Sequence, residues 1–131
     1  MILVFDIGGT HMRNAGSADG TNITEPIIVP TPQSFEEAMD EFEEIAKKIA
    51  GDVVISAISG GVAGILDTET KTLLVSPHLP RWVGKPLGER LSSIAPAAAL
   101  TMENDSALVG LGEALSGAGS NGSIVAYLTI S

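Results

Sequence analysis

Cysteine is absent from the 131 residues, which excludes disulfides and thiolate metal sites and fits a reducing compartment. Histidine occurs only as His11 and His78, too far apart for helical ligand spacing, so nothing points to a transition-metal site. Basic side chains are equally scarce. Seven stand against 16 acidic ones, and the net charge of −9 opposes non-specific binding to nucleic acid or an anionic membrane. No apolar run approaches the roughly 20 residues needed to cross a bilayer. The N-terminus has neither a charged n-region nor a cleavage site, so no signal peptide is expected. A cytoplasmic protein with no membrane or nucleic-acid partner is the expectation. A nucleotide would then need local backbone donors and a metal, because no general positive field is available.

What is present fits a folded domain. Apolar residues make up 44% and charged residues 18% of the chain, which is a globular balance. A chain of this size buries roughly two-thirds of its unfolded surface. Chemistry concentrates at the start. Met1-Ile2-Leu3-Val4 reads as a strand buried on both faces, and the predicted strand spans 2–7. It runs into Phe5-Asp6-Ile7-Gly8-Gly9-Thr10. Glycines let a backbone turn sharply and approach a ligand, and successive free N–H groups form a concavity for an oxyanion. A carboxylate beside a phosphate repels it unless a divalent cation lies between. One reading is therefore a seat for a metal–phosphate ligand such as Mg-ATP; the other is a tight hairpin turn with a capping Asp.

The remaining pattern predicts antiparallel strands followed by alternating helices and strands. His11 to Ser17 returns beside the first strand, Asp19-Gly20-Thr21-Asn22 turns, and Ile23 to Val29 is a third strand. Ser34 and Glu37 form a capping box before a helix with Phe35, Ala38, Met39, Phe42, Ile45, Ala46 and Ile49 on one face, stopped by Gly51. The acidic run on the opposite face is a solvated surface. Asp52 to Ser59 reads as a buried strand ending in a second glycine turn, Ser59-Gly60-Gly61. A hairpin over 63–75, a loop over 76–86, a helix over 87–94, a strand over 97–102, a helix over 105–116 and a last strand over 124–130 complete the chain. This alternation implies an α/β mixed sheet, with ligands at the carboxyl ends of the strands, where Asp6, Gly60-Gly61 and Asn104-Asp105 all fall. Gly117-Ala118-Gly119-Ser120-Asn121-Gly122 matches G-x-G-x-x-G but has a helix before it and a strand after it, the reverse of a dinucleotide fingerprint.

Two readings stand for several residues. Asp105 opens a helix, so it is an N-cap or a general base that takes a proton from an alcohol during phosphoryl transfer. Asn104 can donate to and accept from a neighbouring hydroxyl. Trp82, the one tryptophan, is a hydrophobic anchor or a platform for a sugar face.

Asp6-Ile7-Gly8-Gly9-Thr10 with Arg13 resembles the first phosphate motif of the actin-like ATPase superfamily, in the form used by sugar kinases. Ser59-Gly60-Gly61-Val62-Ala63-Gly64-Ile65-Leu66-Asp67, Pro77-His78-Leu79-Pro80-Arg81-Trp82-Val83-Gly84-Lys85-Pro86-Leu87 and Glu103-Asn104-Asp105-Ser106-Ala107-Leu108-Val109-Gly110-Leu111-Gly112-Glu113 resemble three further segments of the ROK family, in the family's order. The resemblance implies a ribonuclease H-like, actin-like ATPase N-terminal lobe over residues 1–131 and an ATP- and Mg²⁺-dependent hexose kinase. Glucose, fructose or an N-acetylated hexosamine would be the substrate. It implies that Asp6 organises Mg²⁺, through water, and that Gly8, Gly9, Thr10 and Arg13 face the phosphates. Asp105 would be the catalytic base, with Gly61, Val62, Gly64, His78 and Asn104 on the sugar side. The family usually has Asn where His78 stands, Pro where Ala63 stands and Gly where Arg81 stands. The second phosphate loop, the adenosine site, the remaining sugar ligands and the zinc-binding cysteines would lie in a C-terminal lobe that this chain lacks, leaving the fragment alone inactive. A homodimeric parent is also within the expectation. The alternatives are the sugar-sensing lobe of a ROK-type transcriptional regulator and a non-enzymatic binding or dimerisation fragment.

Overall fold

A computed structural model of the chain describes residues 1–128. The strands are β1 (Ile2–Ile7), β2 (His11–Ser17), β3 (Ile27–Pro30), β4 (Ala57–Val62), β5 (Ile65–Leu66), β6 (Leu73–Val75) and β7 (Ala99–Asn104). The helices are α1 (Phe35–Ala50), α2 (Leu87–Ile94) and α3 (Asp105–Ser116), with a 3-10 turn at Pro80–Trp82. Five strands form one sheet in the order β3-β2-β1-β4-β7, and β5 with β6 makes a separate hairpin. β1 to β3 are antiparallel, whereas β4 and β7 run parallel to β1. This is the mixed α/β sheet that the sequence pattern implies. Ile7 lies opposite Val62, and Val62 opposite Asn104, so three parallel strands end level with one another.

Helix α1 forms where its signals place it. The Ser34 hydroxyl accepts the Glu37 N–H at 3.4 Å, and Gly51 closes the helix at φ 53° by donating to the Lys47 carbonyl. Its apolar face packs on Leu3, Phe5, Ile7, Met12, Ile58 and Val62, with the Phe5 and Phe42 rings edge to face at 5.5 Å. Leu87 and Leu91 of α2 join the same core. Side chains alternate along a strand, so Asp6 and Gly61 point to the opposite face from Ile7 and Val62. Helix α3 covers that second face, although none of its own residues is buried.

Several sequence expectations are corrected. The strand expected over 52–59 is β4. Val53 and Val54 are 58% and 78% exposed, and the Val53 N–H closes a turn onto Ala50. Gly60 and Gly61 lie inside that strand and form no turn. A Cβ on Gly60 would strike the Phe5 ring at 2.6 Å, and one on Gly61 would sit 3.0 Å from the Asp105 Cα. The glycines are there because neighbours press against the strand. The turn itself falls at Gly64, with φ 151°. The third strand is shortened to β3 because Pro26 has no N–H for the ladder, leaving Ser17–Ile23 as an isolated bridge. The Ala98 N–H turns back onto Ala95, which delays β7 to Ala99. Residues 124–128 pair with no strand; the rest of the strand expected over 124–130 lies outside the described residues. Trp82 is 1% exposed and packs edge-on against Phe35 at 5.6 Å. It is the hydrophobic anchor, and its buried face cannot serve as a sugar platform.

Candidate functional site

The first glycine turn is braced from below. The Gly8 N–H donates to the His11 carbonyl at 3.0 Å. Thr31, which is buried, donates its hydroxyl to the Gly8 carbonyl at 2.7 Å and its N–H to the Thr10 carbonyl at 2.9 Å. Among the described residues, the Gly9 and Thr10 N–H groups meet no protein acceptor. Two adjacent donors are thus left free on a turn whose Gly8 and Thr10 carbonyls are tied elsewhere, an arrangement that can offer hydrogen bonds to an oxyanion. Sequence reasoning missed Thr31. Its signal was a lone threonine between Pro30 and Pro32, just past the expected third strand.

Asp6 sits one residue before the end of β1, opposite Arg13 on β2. The Arg13 Nη1 donates to Asp6 Oδ2 at 2.8 Å, with both side chains about half exposed. Asp6 Oδ1 receives no protein donor among the described residues. The pair follows from the hairpin register, which brings residue 13 across from residue 6. In this structure Arg13 therefore holds Asp6, and it also borders the glycine turn.

Asn104, not Asp105, caps α3. Its Oδ1 accepts the Ala107 N–H at 3.1 Å, and its Nδ2 donates to the Gly64 carbonyl at 2.8 Å. One lone pair and one N–H of the amide remain for a ligand. Asp105 begins the helix itself. Its Oδ1 accepts the Ser106 N–H at 2.8 Å, and Oδ2 has no protein donor among the described residues. Ser106 is a second residue that the sequence reading passed over.

These pieces converge. A cleft of about 260 Å³ is lined by the turn Gly8–Thr10, by His11, Arg13, Ala63 and His78, and by Asp105. A larger cleft of about 470 Å³ lies between Asp6, Gly61 and the first turns of α3, with Tyr127 at its side. Asp105 borders both. His78 is packed directly on the glycine turn, where a Cβ on Gly9 would collide with it. Val62 does not join the site: its side chain is fully buried on the α1 face. Gly61, expected on the sugar side, contributes strand backbone; the loop after β4 is Ala63-Gly64, and Gly64 meets the site through Asn104. Among the described residues no cluster of three or more His, Asp or Glu is disposed to hold a metal by itself. No described helix is long and apolar enough to cross a membrane.

No family model matches the chain, and no curated protein matches its sequence. Solved structures do. The ROK family glucokinase from Streptomyces griseus, in complex with glucose and AMPPNP, matches with a TM-score of 0.77 and 26% identity over 91% of this chain. The ROK hexokinase from Thermus thermophilus matches with a TM-score of 0.75 and 26% identity over 87%. The fold is that of the ROK sugar kinases. It corresponds to their N-terminal, actin-like lobe, as the resemblance implied. A ROK family transcriptional regulator, a homologue of the E. coli MLC protein, matches over 92% of this chain with a TM-score of 0.77 and 17% identity, a likeness of fold alone. The chain spans 38% of the glucokinase and of the hexokinase, and 31% of the regulator.

Proposed function

We propose that this chain is the N-terminal lobe of an ATP-dependent hexose kinase and carries the group that activates the sugar hydroxyl. The observation that carries the reading is the shared cleft: a carboxylate with one free oxygen, Asp105, faces the same space as the glycine turn with its two free amides. The glucose and AMPPNP of the S. griseus glucokinase complex suggest the ligand classes.

The residues present fit a metal–phosphate ligand. The Gly9 and Thr10 N–H groups suit phosphate oxygens. Asp6 keeps one oxygen for a hydrated Mg²⁺, while Arg13 neutralises the other and steadies its rotamer. Mg-ATP, when bound, supplies the phosphoryl group and the cation that offsets its charge. The chain's own residues do the rest. Asn104 holds a sugar hydroxyl through its spare N–H and lone pair. Asp105 Oδ2 orients the adjacent hydroxyl and takes its proton as the sugar oxygen bonds to phosphorus and the bond to the nucleotide breaks. The Ser106 N–H fixes the other oxygen, so the free one is aimed. The Gly61 backbone lets α3 lie close enough to place that carboxylate.

Helix α3 buries none of its residues and shows Val109, Leu111 and Leu115 to solvent. A second lobe would cover this surface and complete the cleft. Phosphoryl transfer depends on several positioned parts at once, so this lobe alone should not turn over. The regulator reading shares the fold; the unpaired Asp105 oxygen favours the kinase.

The test is Asp105→Asn in the two-lobed protein. Hexose phosphorylation should fall by about 10²–10⁴-fold in kcat, the usual contribution of a positioned base. Hexose affinity should stay within a few-fold. Undiminished turnover would remove Asp105 from this role.

A further inference from the structure

Both histidines of the chain stand in one place. His11 opens β2 and His78 lies in the loop after β6, yet both line the small cleft with the glycine turn, Arg13 and Asp105. In a chain of net charge −9, this cleft has three basic or imidazole side chains facing one carboxylate. His78 is fixed there from both sides. The Ser76 hydroxyl donates to the Ala63 carbonyl and accepts the Leu79 N–H at 3.0 Å, while Leu79 and Trp82 are rooted in the core. The Gly9 backbone lies directly against the His78 Cβ. The His78 side chain therefore leaves the backbone against the turn that carries the two free amides, and shares its cleft. Both histidines are exposed, and among the described residues neither ring has a hydrogen-bond partner in the protein.

The other charged groups around them are few. Arg13 lies on the same strand as His11, Asp105 faces them from α3, and Asp6 on β1 is already paired with Arg13. Arg81 is exposed on the 3-10 turn and does not line the cleft.

We propose that His11 and His78 grip a tetrahedral oxyanion at the glycine turn, and that their protonation tightens that grip. The inference rests on the reading of the turn as a phosphate seat. It reassigns His78 from the sugar to the phosphoryl group that passes between the turn and Asp105. Imidazole changes charge between pH 5 and 8, and a protonated ring adds a charge-assisted donor to an anion. The sign follows from linkage. An anion that prefers the protonated rings binds more tightly as pH falls, and it shifts both imidazole titrations to higher pH.

Sulfate is the probe, because it remains a dianion throughout that range. Titrated into the chain at pH 5.5 and pH 8.0 at constant ionic strength, it should shift the Gly9 and Thr10 amide resonances. It should bind about tenfold more tightly at the lower pH, or ~1.4 kcal/mol. Both imidazole proton titrations should move upward in sulfate, a readout that needs no variant. The double substitution His11→Asn, His78→Asn should flatten the pH profile while the amides still respond. Equal affinity at the two pH values, or a pH dependence that survives the double substitution, overturns the histidine assignment and leaves the turn as an anion seat. No response of Gly9 and Thr10 at either pH overturns both.

Discussion

Asn104 is the strut between α3 and the turn after β4, and its removal has a cost that can be worked out. Substitution by Ala deletes the cap on the Ala107 N–H and the donor to the Gly64 carbonyl. Loss of an N-cap costs about 1 kcal/mol. A partly buried carbonyl stripped of its donor costs about 1 kcal/mol more. Asn104→Ala should therefore destabilise the chain by about 2 kcal/mol, whereas Asn104→Ser, which keeps a capping oxygen but cannot reach Gly64, should cost about 1 kcal/mol. Urea unfolding of the three proteins, compared at equal m-values, measures the difference. If Ser is as harmful as Ala, the cap contributes nothing. If Ala lies within about 0.5 kcal/mol of the parent, Asn104 is not the strut and the argument fails.

Gly61→Ala places a Cβ 3.0 Å from the Asp105 Cα and 3.2 Å from Leu108 Cδ1, inside normal contact distance. Overpacking should cost about 1–3 kcal/mol, and the displaced Asp105 should lower turnover of the two-lobed protein by about 10²-fold; wild-type kinetics would show that Gly61 does not set its position. Trp82→Phe should destabilise the chain in urea yet leave hexose affinity unchanged, and a selective loss of sugar binding would restore the platform reading. Asp19 accepts N–H bonds from the Asn22 backbone, the Asn22 side chain and the Thr21 backbone, which together hold its carboxyl well below the usual carboxylate range. A depressed value contributes stability above the unfolded carboxylate pKa, and that contribution is lost as pH falls below about 4. Asp19→Asn should thus lower Tm at pH 7 and flatten its decline in acid; parallel Tm–pH curves would contradict this.

Helix α1 was legible because cap, apolar face and glycine stop all act within one segment; α2 was legible from its short amphipathic run after Pro86 and α3 from its apolar stretch, although its cap was not. The β1–β2 hairpin was equally plain, but its register was not read, and the Asp6–Arg13 pair that follows from it came only with the structure. The region 52–62 was not legible. Val53-Val54-Ile55 looks like a buried strand but precedes one, and Gly60-Gly61 looks like a turn. A glycine pair marks either a bend or a close neighbour, and the neighbours here, Phe5 and Asp105, are distant in sequence. The same limit hid Thr31 beneath the glycine turn and placed the cap on Asp105 instead of Asn104. The motif order located the strand ends that form the cleft. The hydrogen bonds that aim Asp105 and hold Asn104 had to be seen.

The most direct measurement is an amide-resolved NMR titration of the chain with Mg-AMPPNP and then glucose. The nucleotide should perturb Gly9 and Thr10, and the sugar should perturb Asp105 and Ser106. Each ligand should also shift the other's residues, since Asp105 borders both clefts. Shifts confined to the far end of the sheet, around Val53 to Ile55 and Ile94 to Ala97, would contradict a shared cleft at the glycine turn.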